Sequence, residues 1–172
     1  RQKNASFPSL GDQFRALTET RVWRYGLAYY FVFGGFVALS LWLPKYYMAE
    51  YGLTLKQAAL ISLIFVLPSG VIRALGGWIS DKFGGDRTTW WVFWICIICL
   101  FFMSYPPTSV TIHRINGDLT FGIATGVALF TALAFIVGVA QGIGKASVYR
   151  SLADHYAGNM GPVGGLVGVI GG

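Results

Sequence analysis

The stretch "LISLIFVLPSGVIRALGGWISDKFGG", residues 60–85, decides how the chain is read. It is apolar enough to cross a bilayer as a helix, yet Arg73 stands well inside it and no acidic residue precedes Asp81. A guanidinium at mid-helix costs about 2.5–3.5 kcal/mol on membrane-insertion scales, so some other interaction must offset it.

The surrounding composition places this run in a membrane protein. Of 172 residues, 55% are hydrophobic, 16% aromatic and only 12% charged, whereas an ordinary soluble domain carries about 25% charged residues. The length is therefore counted in spans of about 20 residues. Hydrophobic windows fall at 25–43, 58–79, 89–105, 119–143 and 161–172. Each span must satisfy its own backbone in lipid, and no barrel-type alternation or strand pattern is visible, so the expected fold is all-α, a polytopic transmembrane bundle. Because the chain begins without methionine and stops inside an apolar segment, it reads as a piece of a longer polypeptide.

Several function classes are disfavoured by the same residues. The net charge is +6, but the basic residues flank the apolar runs and form no single patch, which argues against nucleic acid as a partner. Cys96 and Cys99 have CxxC spacing inside an apolar run with no further ligand nearby, and read as small core residues. No metal-ligand cluster, nucleophile with a base, or phosphate loop is present in the sequence, so neither an enzyme nor a cofactor is expected.

Orientation follows from the alternate loops. Arg1, Lys3, Arg15, Arg21, Arg24, Lys82, Arg87, Lys145 and Arg150 fall on one side, against Lys45, Lys56 and Arg114 on the other. The positive-inside rule makes the first side cytoplasmic, with loops at 79–88 and 144–160, in a multi-pass protein of the inner membrane. Trp42, Tyr46, Tyr47, Trp90 and Trp91 stand at span edges, where amphipathic rings settle.

Residues three and four apart share a helix face, which groups Arg73 with Ser69, Gly70, Gly76 and Gly77. That stripe is small and partly polar, as if another helix or a ligand must come close. A fixed carboxylate or an interface could also hold Arg73, but every Asp and Glu lies in a loop or at a span margin. An unpaired guanidinium suits a mobile anion, and its planar fork favours a planar oxyanion. The segment "GNMGPVGGLVGVIGG" sets Gly161, Gly164, Gly165, Gly168, Gly171 and Gly172 along one helical face, suited to tight helix packing or to close approach by a small ligand or a moving neighbour. Tyr29 and Phe33 lie on one stripe of the first span. A hydroxyl at that depth needs a partner.

With these residues in view, "GGWISDKFGG" resembles the loop signature of the major facilitator superfamily at Gly77, Asp81, Lys82, Phe83 and Gly84, with Gly85 and Asp86 where basic residues usually follow. Together, "VIRALGGWISDKFGG" and "GPVGGLVGVIGG" are similar to the nitrate/nitrite porter family within it. The resemblance covers about residues 22–172 and implies helices seven to eleven of twelve, preceded by a cytoplasmic inter-domain loop at 1–24. It implies that Arg73 grips the anion, that Tyr29 (with Tyr30 as the adjacent alternative) donates to it, that Phe33 lines the site and that Gly164 and Gly165 are the paired signature glycines.

Asp81, Lys82 and Arg87 would form a gate on the cytoplasmic side. "QGIGKASVYRSLADHY" looks like porters associated with nitrate uptake, with Lys145 either a relay at the inner mouth or a residue snorkelling from a helix end. Asp154 and His155 read as solvated loop groups. The implied activity is secondary transport of nitrate and nitrite by alternating access, as exchange or uptake, with the amino-terminal half of the same transporter supplying a second arginine. Nitrate/proton symport and a non-transporting nitrate sensor are the alternatives.

Overall fold

The computed structural model describes residues 18–105, 108–112 and 119–172. Most of the expected loop at 1–24 lies outside them, as do Arg1, Lys3, Arg15, His113 and Arg114. The chain is a helical bundle, and four of its helices are long and apolar enough to cross a membrane.

The first span runs from Thr20 to Tyr51 in three pieces: α1 (Thr20–Tyr29), a π-helical turn (Tyr30–Gly34) and α2 (Gly35–Tyr51). It continues past residue 43, where the apolar window ends, and through Pro44. The added turns are held from outside. Tyr47 Oη lies 2.8 Å from Thr131 Oγ1, Tyr51 donates to the Thr125 carbonyl at 2.8 Å, and Tyr46 stacks on Phe130 at 4.6 Å. Gly52, at φ 63°, then closes the helix in the left-handed conformation that glycine tolerates.

The second span, α3 (Leu55–Phe83), starts at a capping box between Thr54 and Gln57. Gly84, at φ 88°, separates it from α4 (Gly85–Met103). The expected loop at 79–88 is thus a single-residue break.

The largest departure from the sequence reading follows α4. Residues 119–123, expected to open a helix, instead form β2 (Leu119–Ile123), antiparallel to β1 (Thr108–Ile112), with Thr108 opposite Ile123 and Ile112 opposite Leu119. Hydropathy alone does not separate a short apolar strand from a helix. Here Thr120, Phe121 and Ile123 suit a strand, and Gly122 and Gly126 weaken a helix.

The helix begins only at Val127 and runs to His155 as α5, through the segment read as a loop at 144–160. That half is polar in sequence but helical because its packed face is buried, including Lys145, Ser147, Val148, Ser151 and Leu152. α6 (Met160–Gly171) ends the described chain.

α5 is the centre of the bundle, with α3 and α4 packed along it and α6 laid against α1. Glycines set the α3–α5 distance. A Cβ on Gly138 would stand 2.5 Å from the Phe65 carbonyl oxygen, one on Gly142 2.6 Å from that of Ser69, and one on Gly76 2.8 Å from Ile143 Cα. Gly138 and Gly142 have the GxxxG spacing that lets membrane helices meet backbone to backbone.

Candidate functional site

Three side chains spaced by four on α5, Gln141, Lys145 and Tyr149, meet the π turn and its flanks, so one helix face supports the middle of the first span. Gln141 Nε2 donates to the Phe31 carbonyl at 3.4 Å. Lys145 Nζ lies 3.2 Å from the centre of the Phe36 ring and 5.8 Å from that of Phe33, and donates to Ser69 Oγ at 3.1 Å. The Tyr149 ring stands edge-on to Tyr29 at 5.0 Å, and its hydroxyl donates to the Gly164 carbonyl at 3.4 Å.

Tyr29 and Phe33 stack on each other, with centroids 5.3 Å apart and planes 5° from parallel. Tyr29 is 6% exposed and Tyr30 61%, so Tyr29 is the tyrosine that faces the cluster.

Arg73 lies on α3, one turn beyond Ser69, and is exposed. Ser69, one turn before it, accepts from Lys145 Nζ at 3.1 Å. The expected stripe around it divides: Ser69 and Gly76 face α5, whereas a Cβ on Gly70 or Gly77 would meet nothing within 4 Å. Among the described residues the ion pairs belong to Arg150, and neither Arg73 nor Lys145 is paired with a carboxylate. Lys145 therefore reaches α3 one turn from Arg73, and neither cation has a carboxylate partner among the described residues, an arrangement that favours an anion over a cation.

Lys145 is not at a helix end. It is 6% exposed and inside α5, ten residues before His155, so it does not snorkel from a helix end. The ring face of Phe36 and the Ser69 hydroxyl hold the amine in place of water.

The glycine face of α6 also divides. Gly164 and Gly168 lie along the Tyr149 ring, and a Cβ on Gly171 would enter the Tyr29 ring. Gly161 and Gly165 meet nothing within 4 Å. The pair Gly164 and Gly165 is thus one glycine in contact with the cluster and one uncovered.

At the far end of α3, Asp81 accepts from Arg150 Nε at 2.5 Å, and Arg150 also bonds Asp154. Arg150, not Lys82 or Arg87, is the basic partner of Asp81. The Lys82 ammonium instead lies over the Trp78 and Phe83 rings, at 5.5 and 5.4 Å, and Arg87 is exposed.

Asp154 and His155 are also not free loop groups. His155 Nδ1 lies 2.9 Å from the Ser151 carbonyl oxygen and 3.2 Å from Tyr25 Oη, and Tyr25 donates to Asp86 at 3.1 Å. Tyr156 donates to Glu19 at 2.6 Å. Burial and the Glu19 carboxylate push the Tyr156 phenol up to about 12, so it remains a neutral donor at physiological pH. These contacts tie α1, α3, α4 and α5 together at one end of the bundle.

Gln141, Tyr149 and Arg150 were not singled out from sequence. The available signal was the polar or aromatic residue every fourth position in a helix otherwise rich in glycine and aliphatic residues.

The Major Facilitator Superfamily profile matches residues 2–172. The chain belongs to this superfamily. Within it, the chain is similar to the probable nitrate/nitrite antiporter NarK1 of Thermus thermophilus, 41% identical over 93% of this chain and 36% of that protein. It is also similar to the nitrite extrusion protein of Bacillus subtilis, 28% identical over 95% of this chain and 37% of that protein. The probable nitrate transporter NarT of Staphylococcus haemolyticus is 26% identical over 95% of this chain and 38% of its own length. This facilitator chain thus spans little more than a third of those relatives. No solved structure gives a significant match. The relatives' names agree with the porter resemblance read from the residues.

Proposed function

We propose that this facilitator chain is part of a secondary transporter that moves nitrate, and nitrite, across the cytoplasmic membrane by alternating access. The observation that carries the reading is Arg73, a membrane-helix guanidinium without a carboxylate partner among the described residues, one turn from the Ser69 hydroxyl that accepts from Lys145. The names of the relatives supply the substrate. In this reading Arg73 grips the planar anion, Tyr29 donates to it, Phe33 covers one face, and Gly164 and Gly165 let α6 move past.

A site of converging cations resists closure when empty, because the charges repel. A bound anion relieves that repulsion and lets the loaded carrier close, which favours exchange over net uptake. Asp81 and Arg150 form the gate at the end that the positive-inside rule assigns to the cytoplasm.

Nitrate/proton symport is the second reading, and Lys145 favours it by placing a titratable amine inside a membrane helix. The sensor reading gains nothing from relatives named as transporters. Counterflow of labelled nitrate against internal nitrite in proteoliposomes of the full-length protein tests the proposal. Counterflow unaffected by a pH gradient supports exchange, uptake driven by the gradient supports symport, and binding without flux overturns transport.

A further inference from the structure

The π turn at Tyr30–Gly34 lies between the two halves of the first span and directly follows Tyr29. A π turn closes its hydrogen bonds over five residues instead of four, which rotates everything beyond it about the helix axis. The Gly35 N–H accordingly donates to the Tyr30 carbonyl. Such a turn is less favourable than regular helix and persists where something outside the helix holds it.

Gln141 is placed to do so. It is 1% exposed, its Nε2 donates to the Phe31 carbonyl within the turn, and a Cβ on Gly35, just past the turn, would stand 3.4 Å from that same nitrogen. Its Oε1 is buried without a hydrogen-bond partner among the described residues. An unpaired buried amide oxygen is costly, so an apolar residue would serve better if Gln141 only filled space. Reversing the amide would set oxygen against the Phe31 carbonyl, so the turn dictates its orientation.

We propose that Gln141 is a positioning residue: by donating to Phe31 it fixes the π turn and so sets the stacked Tyr29 and Phe33 rings at the angle at which they receive the anion. This rests on the anion-transport reading above. Lys145 and Tyr149, one and two turns further along α5, then meet Phe36 and Tyr29 in the register that Gln141 establishes.

The test uses the full-length transporter with Gln141→Met, which keeps length and helix propensity but loses the donor, and Gln141→Glu, whose carboxyl can donate to Phe31 once protonated, so the variants are compared at a pH low enough to protonate it beside Lys145. Hydrogen exchange over residues 30–36, measured without substrate, should quicken about tenfold in Gln141→Met and stay near wild type in Gln141→Glu. Nitrate KM should rise about tenfold in Gln141→Met with Vmax within about twofold of wild type.

Unchanged exchange in Gln141→Met overturns the proposal, and so does an equal KM rise in both variants accompanied by a common loss of thermal stability. If Gln141→Met yields no folded protein, Gln141→Leu takes its place. It too lacks the donor, the same two changes are expected, and their absence overturns the proposal. Wild-type protein without saturable nitrate flux would instead defeat the transport reading, leaving the exchange measurement to decide whether Gln141 holds the turn.

Discussion

The Lys145 ammonium lies 3.2 Å from the centre of the Phe36 ring, and this contact, with the Ser69 hydroxyl, holds a charged group inside a membrane helix where no carboxylate among the described residues pairs with it. Ring faces and one hydroxyl replace only part of the hydration an ammonium loses on burial. The remaining cost is offset if an anion shares the site.

Lys145→Met should therefore lower the nitrate kcat/KM by about tenfold or more without lowering Tm, since it removes an uncompensated buried charge and keeps the volume. Paired proteoliposome uptake and thermal unfolding of the detergent-solubilised transporter read both quantities. Wild-type uptake would mean the amine does not act on the anion.

The second prediction concerns the α3–α5 crossing. Gly142→Ala would press its methyl against the Ser69 carbonyl and the Ile72 side chain, costing about 1–3 kcal/mol as overpacking does. It should also move Ser69 away from Lys145. Gly77→Ala meets nothing within 4 Å and should leave Tm unchanged or raise it. Thermal unfolding of the two variants side by side checks the contrast, and equal stability would show that the crossing is not set by glycine.

The third prediction concerns the proposed gate. Asp81 and Arg150 join α3 to α5 through an exposed pair, which contributes little to stability. Asp81→Asn and Arg150→Gln should each slow turnover several-fold with KM preserved, and the double variant should be no slower than either alone. Additive slowing would place the two residues in separate steps. Lys82→Gln should have a smaller effect, because its ammonium lies over Trp78 and Phe83 and not on Asp81.

The membrane class and the helical architecture were legible in the sequence because both follow from hydropathy, and Arg73 has no carboxylate partner among the described residues, in keeping with the positions of the acidic residues. Helix ends were less legible, for reasons that lie in packing. Tyr47 and Tyr51 carry the first span past Pro44 by bonding to Thr131 and Thr125, residues more than 70 positions away. Lys145 and Ser147 made the second half of α5 look like a loop, since nothing in their neighbourhood announces that Phe36 and Thr89 will receive them. The partner of Asp81 was missed for the same reason. Lys82 and Arg87 are near it in sequence, but Arg150 is one of the residues that the α3–α5 crossing brings within reach.

The central claim is that Arg73 recognises a planar anion through its fork as well as its charge. Lysine in its place keeps the charge and loses the paired donors. The most direct measurement is nitrate affinity of the full-length transporter, wild type against Arg73→Lys, by calorimetry at fixed ionic strength. The account predicts a loss of about tenfold or more in Kd for Arg73→Lys, with its folding intact. An unchanged Kd would contradict it.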